Sequence, residues 1–143
     1  MASDLLSIGR SGAQAARIGL DVTAQNIANA QTTKDLDGNP YQRKIVTFES
    51  VMLGRPGTHE KGVKVAEVKS DESDGDIVFN PGHPHADQEG MVRMPNVKIA
   101  TEMVDLMSAS RAYEANLSVV RNARQMAMRA LSIARSDRKS TRL

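Results

Sequence analysis

From Ile99 to Ala134 apolar or small residues recur at alternating steps of four and three, a spacing that commits this part of the chain to one long helix. Ile99, Met103, Leu106, Ser110, Tyr113, Leu117, Val120, Arg124, Ala127, Leu131 and Ala134 fall on one stripe, with Ser110 and Arg124 out of character. A repeat of seven held for about five heptads predicts a helix built to lie against another helix. It would be about 54 Å long at the α-helical rise, more than a compact domain of this size needs internally. A second stripe of smaller residues runs beside the first, at Ala109, Ala112, Asn116, Val119, Ala123, Met126, Ala130 and Ile133. Two adjacent seams let one helix touch more than one partner.

The segment from Asp4 to Ala30 repeats the pattern. Leu5, Ile8, Gly12, Ala15, Gly19, Val22 and Asn26 take the same spacing, with Leu6, Ala13, Ala16, Leu20, Ala24 and Ile27 parallel to them. Gly9, Gly12 and Gly19 each cost a helix about 0.5 to 1 kcal/mol relative to Ala. Small residues also let backbones approach closely, so this helix is expected to be disordered in a free subunit and ordered by packing in an assembly. The run NIANAQTT ends it, with Asn29 a candidate left-handed cap, and KDLDGNPY follows as a turn.

Between the helices the period changes. Tyr41 to Phe48, Val63 to Val68 (with a break at Ala66) and Ile77 to Phe79 read as strands of one small β insert, spaced by Gly54, Pro56, Gly57 and Gly62. Such an insert is too small to stand without the helices. The acidic run SDESDGD between the second and third strands reads as a solvated loop, and its acids do not match a calcium-loop spacing.

Composition narrows the chemistry. With two Tyr, two Phe and no Trp, a large globular core cannot be filled, and with no Cys there is neither disulfide nor thiolate site. No apolar run suffices for a membrane span, and Asp4 and Arg10 interrupt any signal-peptide pattern near the N-terminus. NPGHPHADQEG places His83, His85, Asp87 and Glu89 at alternate positions, all capable metal ligands. Pro81, Gly82 and Pro84 instead favour a rigid turn whose polar side chains bond to backbone, and His59 is the only other histidine. Met103, Met107, Met126 and Met128 suit gap filling between helices better than a thioether metal site. No catalytic, cofactor-binding or metal set is expected, and an enzyme is disfavoured. A metal-dependent hydrolase built on the loop histidines would be recognised by stoichiometric zinc.

Charge is uneven along the chain. From Arg121 onward seven basic residues face Asp137 alone, a net of +6, which against a whole-chain charge of +2 leaves −4 on the first 120 residues. A basic helix end complements the helix dipole and keeps an exposed face soluble. The alternative is a coiled-coil module that uses this segment on nucleic acid or an anionic surface, although no aromatic residue lies among the arginines to stack on bases.

Four separated blocks, DVTAQNIANAQTT, DGNPYQRK, PGHPHADQEGMVRMPNV and EMVDLMSASRAYEAN, closely resemble the bacterial flagellar basal-body rod protein family, over about Ile8 to Ala134. NIANA is of the kind shared by rod and hook proteins generally, whereas HP-x-AD, PNV and ASRAYEAN narrow the resemblance to one branch of the rod proteins. Departures are local. Phe79 and Met91 stand where Tyr is frequent, His85 stands where an acid is usual, and the basic tail Ser136 to Leu143 has no counterpart.

The resemblance implies a structural subunit of the proximal rod, exported without cleavage by the flagellar type III apparatus and polymerising where the rod crosses the periplasm to pass on torque. Its implied partners are other rod subunits, copies of itself, the export apparatus and membrane-ring components, with no cofactor, nucleic acid or membrane span. The implied architecture is mainly α: long N- and C-terminal helices packed as a coiled coil, with a small β-rich insert. In residue ranges this is an N-terminal assembly helix (1–33), the insert and loop (34–95), a C-terminal assembly helix (96–135) and a basic tail (136–143). The assembly interface is expected at Leu5, Ile8, Leu20, Asn26, Ile27, Asn29, Ile99, Met103, Leu106, Tyr113, Asn116, Leu117, Val120, Met126 and Leu131.

Overall fold

Two long helices bracket two short β-hairpins in a computed structural model that describes residues 2–54 and 61–140, with side chains described for 4–54 and 61–135. The order is α1 (Ala2–Ala28), β1 (Lys44–Met52), β2 (Lys61–Ser70), β3 (Ile77–Phe79), β4 (Met91–Arg93) and α2 (Ile99–Ser140). About half of the chain is helical, so the fold is mainly α with a small β insert. Pro56, Gly57 and His59 lie outside the described residues, as do the side chains of the basic tail. Among the described residues no helix is long and apolar enough to cross a membrane.

The insert is two separate antiparallel pairs, β1 with β2 and β3 with β4, so it holds four strands where the pattern gives two or three. The fourth strand carries no comparable signal in the sequence, because Met91–Arg93 lacks the run of β-branched and aromatic residues that marks Ile77–Phe79. β1 starts at Lys44 instead of Tyr41, because Tyr41 and Arg43 turn toward the helices. The break at Ala66 is real: the register shifts between Thr47↔Glu67 and Phe48↔Val65, leaving Ala66 as the extra residue of a β-bulge. Across the same ladder Lys64 Nζ and Glu49 Oε1 pair at 2.8 Å, both half exposed, a contact of a few tenths of a kcal/mol.

α1 ends without the expected left-handed cap at Asn29, since among the described residues only Gly38 and Gly90 have positive φ. The last turn tightens instead. The Ala30 N–H donates to the Ile27 carbonyl, and the Asn29 side-chain amide and its backbone N–H both donate to Gln25 O. The following turn closes on Asp35, whose carboxylate accepts from the N–H groups of Asp37 and Asn39, with Gly38 at φ +86° where a Cβ would be strained.

The helices run antiparallel. Gly19 faces Ala109, Gly12 faces Asn116 and Gly9 faces Val120. A Cβ on Gly9 would sit 2.8 Å from Val120 Cγ2, so the glycines buy the close approach of the two backbones. By the same pairing the start of α1 falls level with residue 127 or so, and α2 projects roughly 20 Å beyond it. The helix also runs on through Ser140, past the boundary drawn after residue 135.

The seam against α1 differs from the main stripe read from the sequence. It takes Glu102, Leu106, Ala109, Tyr113, Asn116, Val120, Ala123 and Ala127, of which Ala123 is wholly buried. Half of these belong to the first stripe, while Ala109, Asn116 and Ala123 come from the second. The reason is steric opposite Gly9 and Gly12, where an added Cβ would already strike Val120 and Asn116, so the bulkier Leu117 falls at the edge of the contact, while Leu131 lies beyond the start of α1. The core is accordingly built of small residues, including Ala13, Ala15, Ala16, Val22 and Ala30.

Candidate functional site: helix surfaces and the polar junction behind them

Where the end of α1, the start of β1 and the first turn of α2 meet, four polar side chains form one network. Asn26, 1% exposed, donates from Nδ2 to Lys44 O and to Glu102 Oε2, both at 2.9 Å. Its Oδ1 accepts from the Tyr41 hydroxyl and from Lys44 N–H, again at 2.9 Å. Every hydrogen-bonding position of this amide is therefore used within the chain. Glu102, equally buried, also accepts from Arg43 Nε, while Arg43 Nη2 reaches Asp105 Oδ2 at 3.2 Å near the surface. The bond to Glu102 holds the Arg43 guanidinium above its ordinary value, so it stays charged at every accessible pH.

Burial pushes the Tyr41 phenol above its usual pKa, and the Glu102 carboxylate adds to the effect. The folded chain thus favours the neutral phenol. Its contribution to stability is complete below the unfolded pKa of about 10 and is lost as pH rises through the higher folded value. Urea unfolding at neutral and alkaline pH is expected to show Tyr41→Phe losing less stability than the parent chain above about pH 10. Equal losses in both chains would mean that the phenol titrates as it does unfolded.

A second junction ties the insert to the same point. Asn96 accepts from Arg43 N–H at 2.6 Å and donates to Asp71 O, Ser73 O and Ser73 Oγ. Asp71 accepts from Ser73, and those bonds hold its exposed carboxyl below the ordinary range. The histidine segment folds as a turn, as its prolines suggest. His83 Nδ1 accepts from His85 N–H, Asp87 accepts from the N–H groups of Glu89 and Met91, and His85 Nδ1 lies 2.8 Å from Thr33 Oγ1. Among the described residues no three His, Asp or Glu side chains converge on a point that could hold a metal. A cleft of about 630 Å³ carries Asp35, Asp37, Asp74, Lys44 and Arg93 on its walls.

The interface candidates separate into three groups. Leu106, Tyr113, Asn116 and Val120 are half-buried in the seam with α1, and Asn26 is closed into the polar junction. Leu20, Ile27, Asn29 and Leu117 are half-buried, while Leu5, Ile8, Ile99, Met103, Met126 and Leu131 are exposed. Helical phase places Leu6, Leu20 and Ile27 on the flank of α1 away from the sheet, since Ser11, Ala15 and Ile18 line the groove against β1 and β2. Met103 and Leu117 occupy the matching flank of α2, so one apolar strip runs along the back of the helix pair. Val104, Met107, Val119, Met128 and Ile133 are also exposed. Sequence reasoning overlooked Tyr41, Arg43, Asn96 and Glu102. Their single signal was membership of the resemblance blocks, because residues distant in sequence reveal no shared contact by spacing.

Both ends of the chain match known protein families. The family model described as flagella basal body rod protein matches residues 6–34, and the one described as flagellar basal body rod FlgEFG protein C-terminal matches residues 88–133. The chain is 38% identical over 130 residues to the flagellar basal-body rod protein FlgC of Yersinia enterocolitica, covering 91% of this chain and 96% of that protein. It is 42% identical over 114 residues to FlgC of Salmonella typhimurium, covering 80% and 84%. With FlgC of Bacillus subtilis it shares 38% over 144 residues, covering 91% and 96%.

Proposed function

Because the chain belongs to the flagellar basal-body rod protein family, we propose that it is a rod subunit exported unfolded by the flagellar type III apparatus, which gains its order on joining its neighbours and then transmits torque. As a member of that family it is a structural protein of the flagellar basal body, assembling with other rod components, and not an enzyme. The observation that carries the finer reading is the apolar strip on the back of the helix pair together with the uncovered end of α2. Neither is accounted for by the chain's own fold, and burial of each by neighbours would supply about 25 cal/mol for each Å² of apolar surface removed from water.

The helix seam supports the export reading by its weakness. Its buried side chains are mostly alanines and its facing positions are glycines, so little apolar area is gained until neighbours cover the rest. In this reading the terminal helices pack as a coiled coil with those of adjacent subunits, near the tube axis, and packed side chains resist sliding under torque. Residues 1–33 and 96–135 are the assembly elements, and the rod crosses the periplasm with export-apparatus and ring components as further partners.

Leu117→Asp tests the strip. A buried carboxylate without a partner is expected to abolish rod completion and swimming while the protein is still synthesised. Motility plates and basal-body preparations would read this, and normal swimming would remove Leu117 from the interface.

A further inference from the structure

Two apolar patches remain uncovered at opposite ends of the molecule, and they carry opposite charge. At one end all three residues of β3 are exposed, Phe79 at 67%, and the strand is paired along one edge only. From Ser70 to Val92 the surrounding chain holds six carboxylates, and Arg93 at the end of β4 is the one Lys or Arg of the hairpin. At the other end α2 continues past the start of α1 with Met128 and Leu131 exposed, in the segment whose net charge is +6. Asp74, Asp76, Arg124 and Arg129 take part in no ion pair among the described residues. The two patches cannot meet within one chain. β4 leads through Pro95 and Asn96 into the first turn of α2, and Met128 lies about 44 Å further along that helix.

We infer that the two patches are the halves of one contact, in which the basic end of α2 docks on the acidic β3–β4 hairpin of a second copy of this chain. An apolar centre ringed by complementary charge is the general anatomy of a specific interface, with the charges setting partner choice and rate of encounter. Because the two surfaces differ, the contact is heterologous and does not close at a dimer. Each copy joined at its head leaves a tail free for the next, which produces an open array. The inference rests on the reading of the chain as an assembly subunit and adds to it the partner and the polarity of the join.

The test uses two charge-reversed chains, Asp74→Lys/Asp76→Lys and Arg124→Glu/Arg129→Glu, followed by sedimentation velocity over a concentration series. At low salt the parent is expected to sediment faster with concentration and without a plateau at dimer, and to fall to monomer in about 1 M salt, where charges are screened beyond about 3 Å. Each reversed chain by itself is expected to lose association, and an equimolar mixture of the two to regain it, since the new basic head then meets the new acidic tail. A parent that stays monomeric at low salt, a plateau at dimer, or a mixture that stays monomeric overturns the inference. Should either variant lose its helical circular dichroism, Phe79→Cys/Leu131→Cys decides, because the chain has no native cysteine. A ladder of disulfide-linked multimers supports the contact, and a product confined to monomer overturns it. Reversed chains that do not associate yet still complete a working rod in cells overturn the head-to-tail contact and leave the subunit reading standing. Absence of the parent chain from basal bodies overturns the subunit reading instead.

Discussion

Arg43→Met is expected to lower the free energy of unfolding by about 3 kcal/mol. The guanidinium supplies the counter-charge of Glu102, whose side chain is 1% exposed. Without it a carboxylate remains buried with the Asn26 amide as its one hydrogen-bonding partner, and uncompensated buried charge is among the costliest changes a fold can suffer. The expectation sits at the lower end of the usual range because Arg43 is itself 24% exposed, so water entering the vacated space relieves part of the loss. Glu102→Leu added to Arg43→Met is expected to recover at least half, since an apolar pair of similar volume removes both charges together. Urea unfolding followed by helical circular dichroism measures all three chains, and the cycle yields the coupling between the two positions. A single-variant loss below about 1 kcal/mol would place the pair among solvated surface contacts.

Gly75→Ala comes next, at about 3 kcal/mol, from a different cause. A Cβ at this position would collide with the carbonyl oxygen of Met94, and would lie 2.8 Å from the Pro95 carbonyl carbon. These are backbone atoms that no rotamer change can move aside. Met94 is held from its other side too, because its N–H donates to Asp76 O at 2.8 Å. Relief therefore requires the 71–76 loop to part from the strand leading into α2, and with it the Asn96 bonds to Asp71 and Ser73. Gly82→Ala is the control, since its nearest outside atom is Asn80 Oδ1 at 3.8 Å, and it is expected to stay within about 0.5 kcal/mol of the parent. Thermal unfolding together with amide exchange over residues 70–96 distinguishes the two chains. Unchanged exchange in Gly75→Ala would mean that the loop adapts without opening.

Both changes act at places where sequence reading stopped short. SDESDGD looks like a solvated loop, and most of its side chains are indeed exposed, yet Gly75 within it is pressed against the backbone 19 positions later. Tyr41 and Arg43 look like the start of a strand, but their side chains join Asn26 and Glu102 across a chain separation that no periodicity records. The long helices were legible because heptad spacing is local information, repeated many times. Their pairing register was legible only in part, since stripes of bulky and of small residues lie side by side on α2 and either can face a neighbour.

Taken by itself, the sequence determined that two long helices would form near the ends of the chain, that the middle would be short strands and turns, and that no thiol chemistry was possible. Its four blocks also determined the family. Each of these follows from residue types and their spacing within one segment. The tertiary structure decided which stripe of α2 meets α1: at Gly9 and Gly12 the helices lie so close that an added Cβ would strike Val120 and Asn116, and Ala109, Asn116 and Ala123 take the seam while Leu117 falls at its edge. It also decided that Asn26 and Glu102 are interior groups rather than surface ones, and that the end of α2 is left uncovered. Those outcomes depend on the distance between segments remote in sequence, which only packing in three dimensions sets.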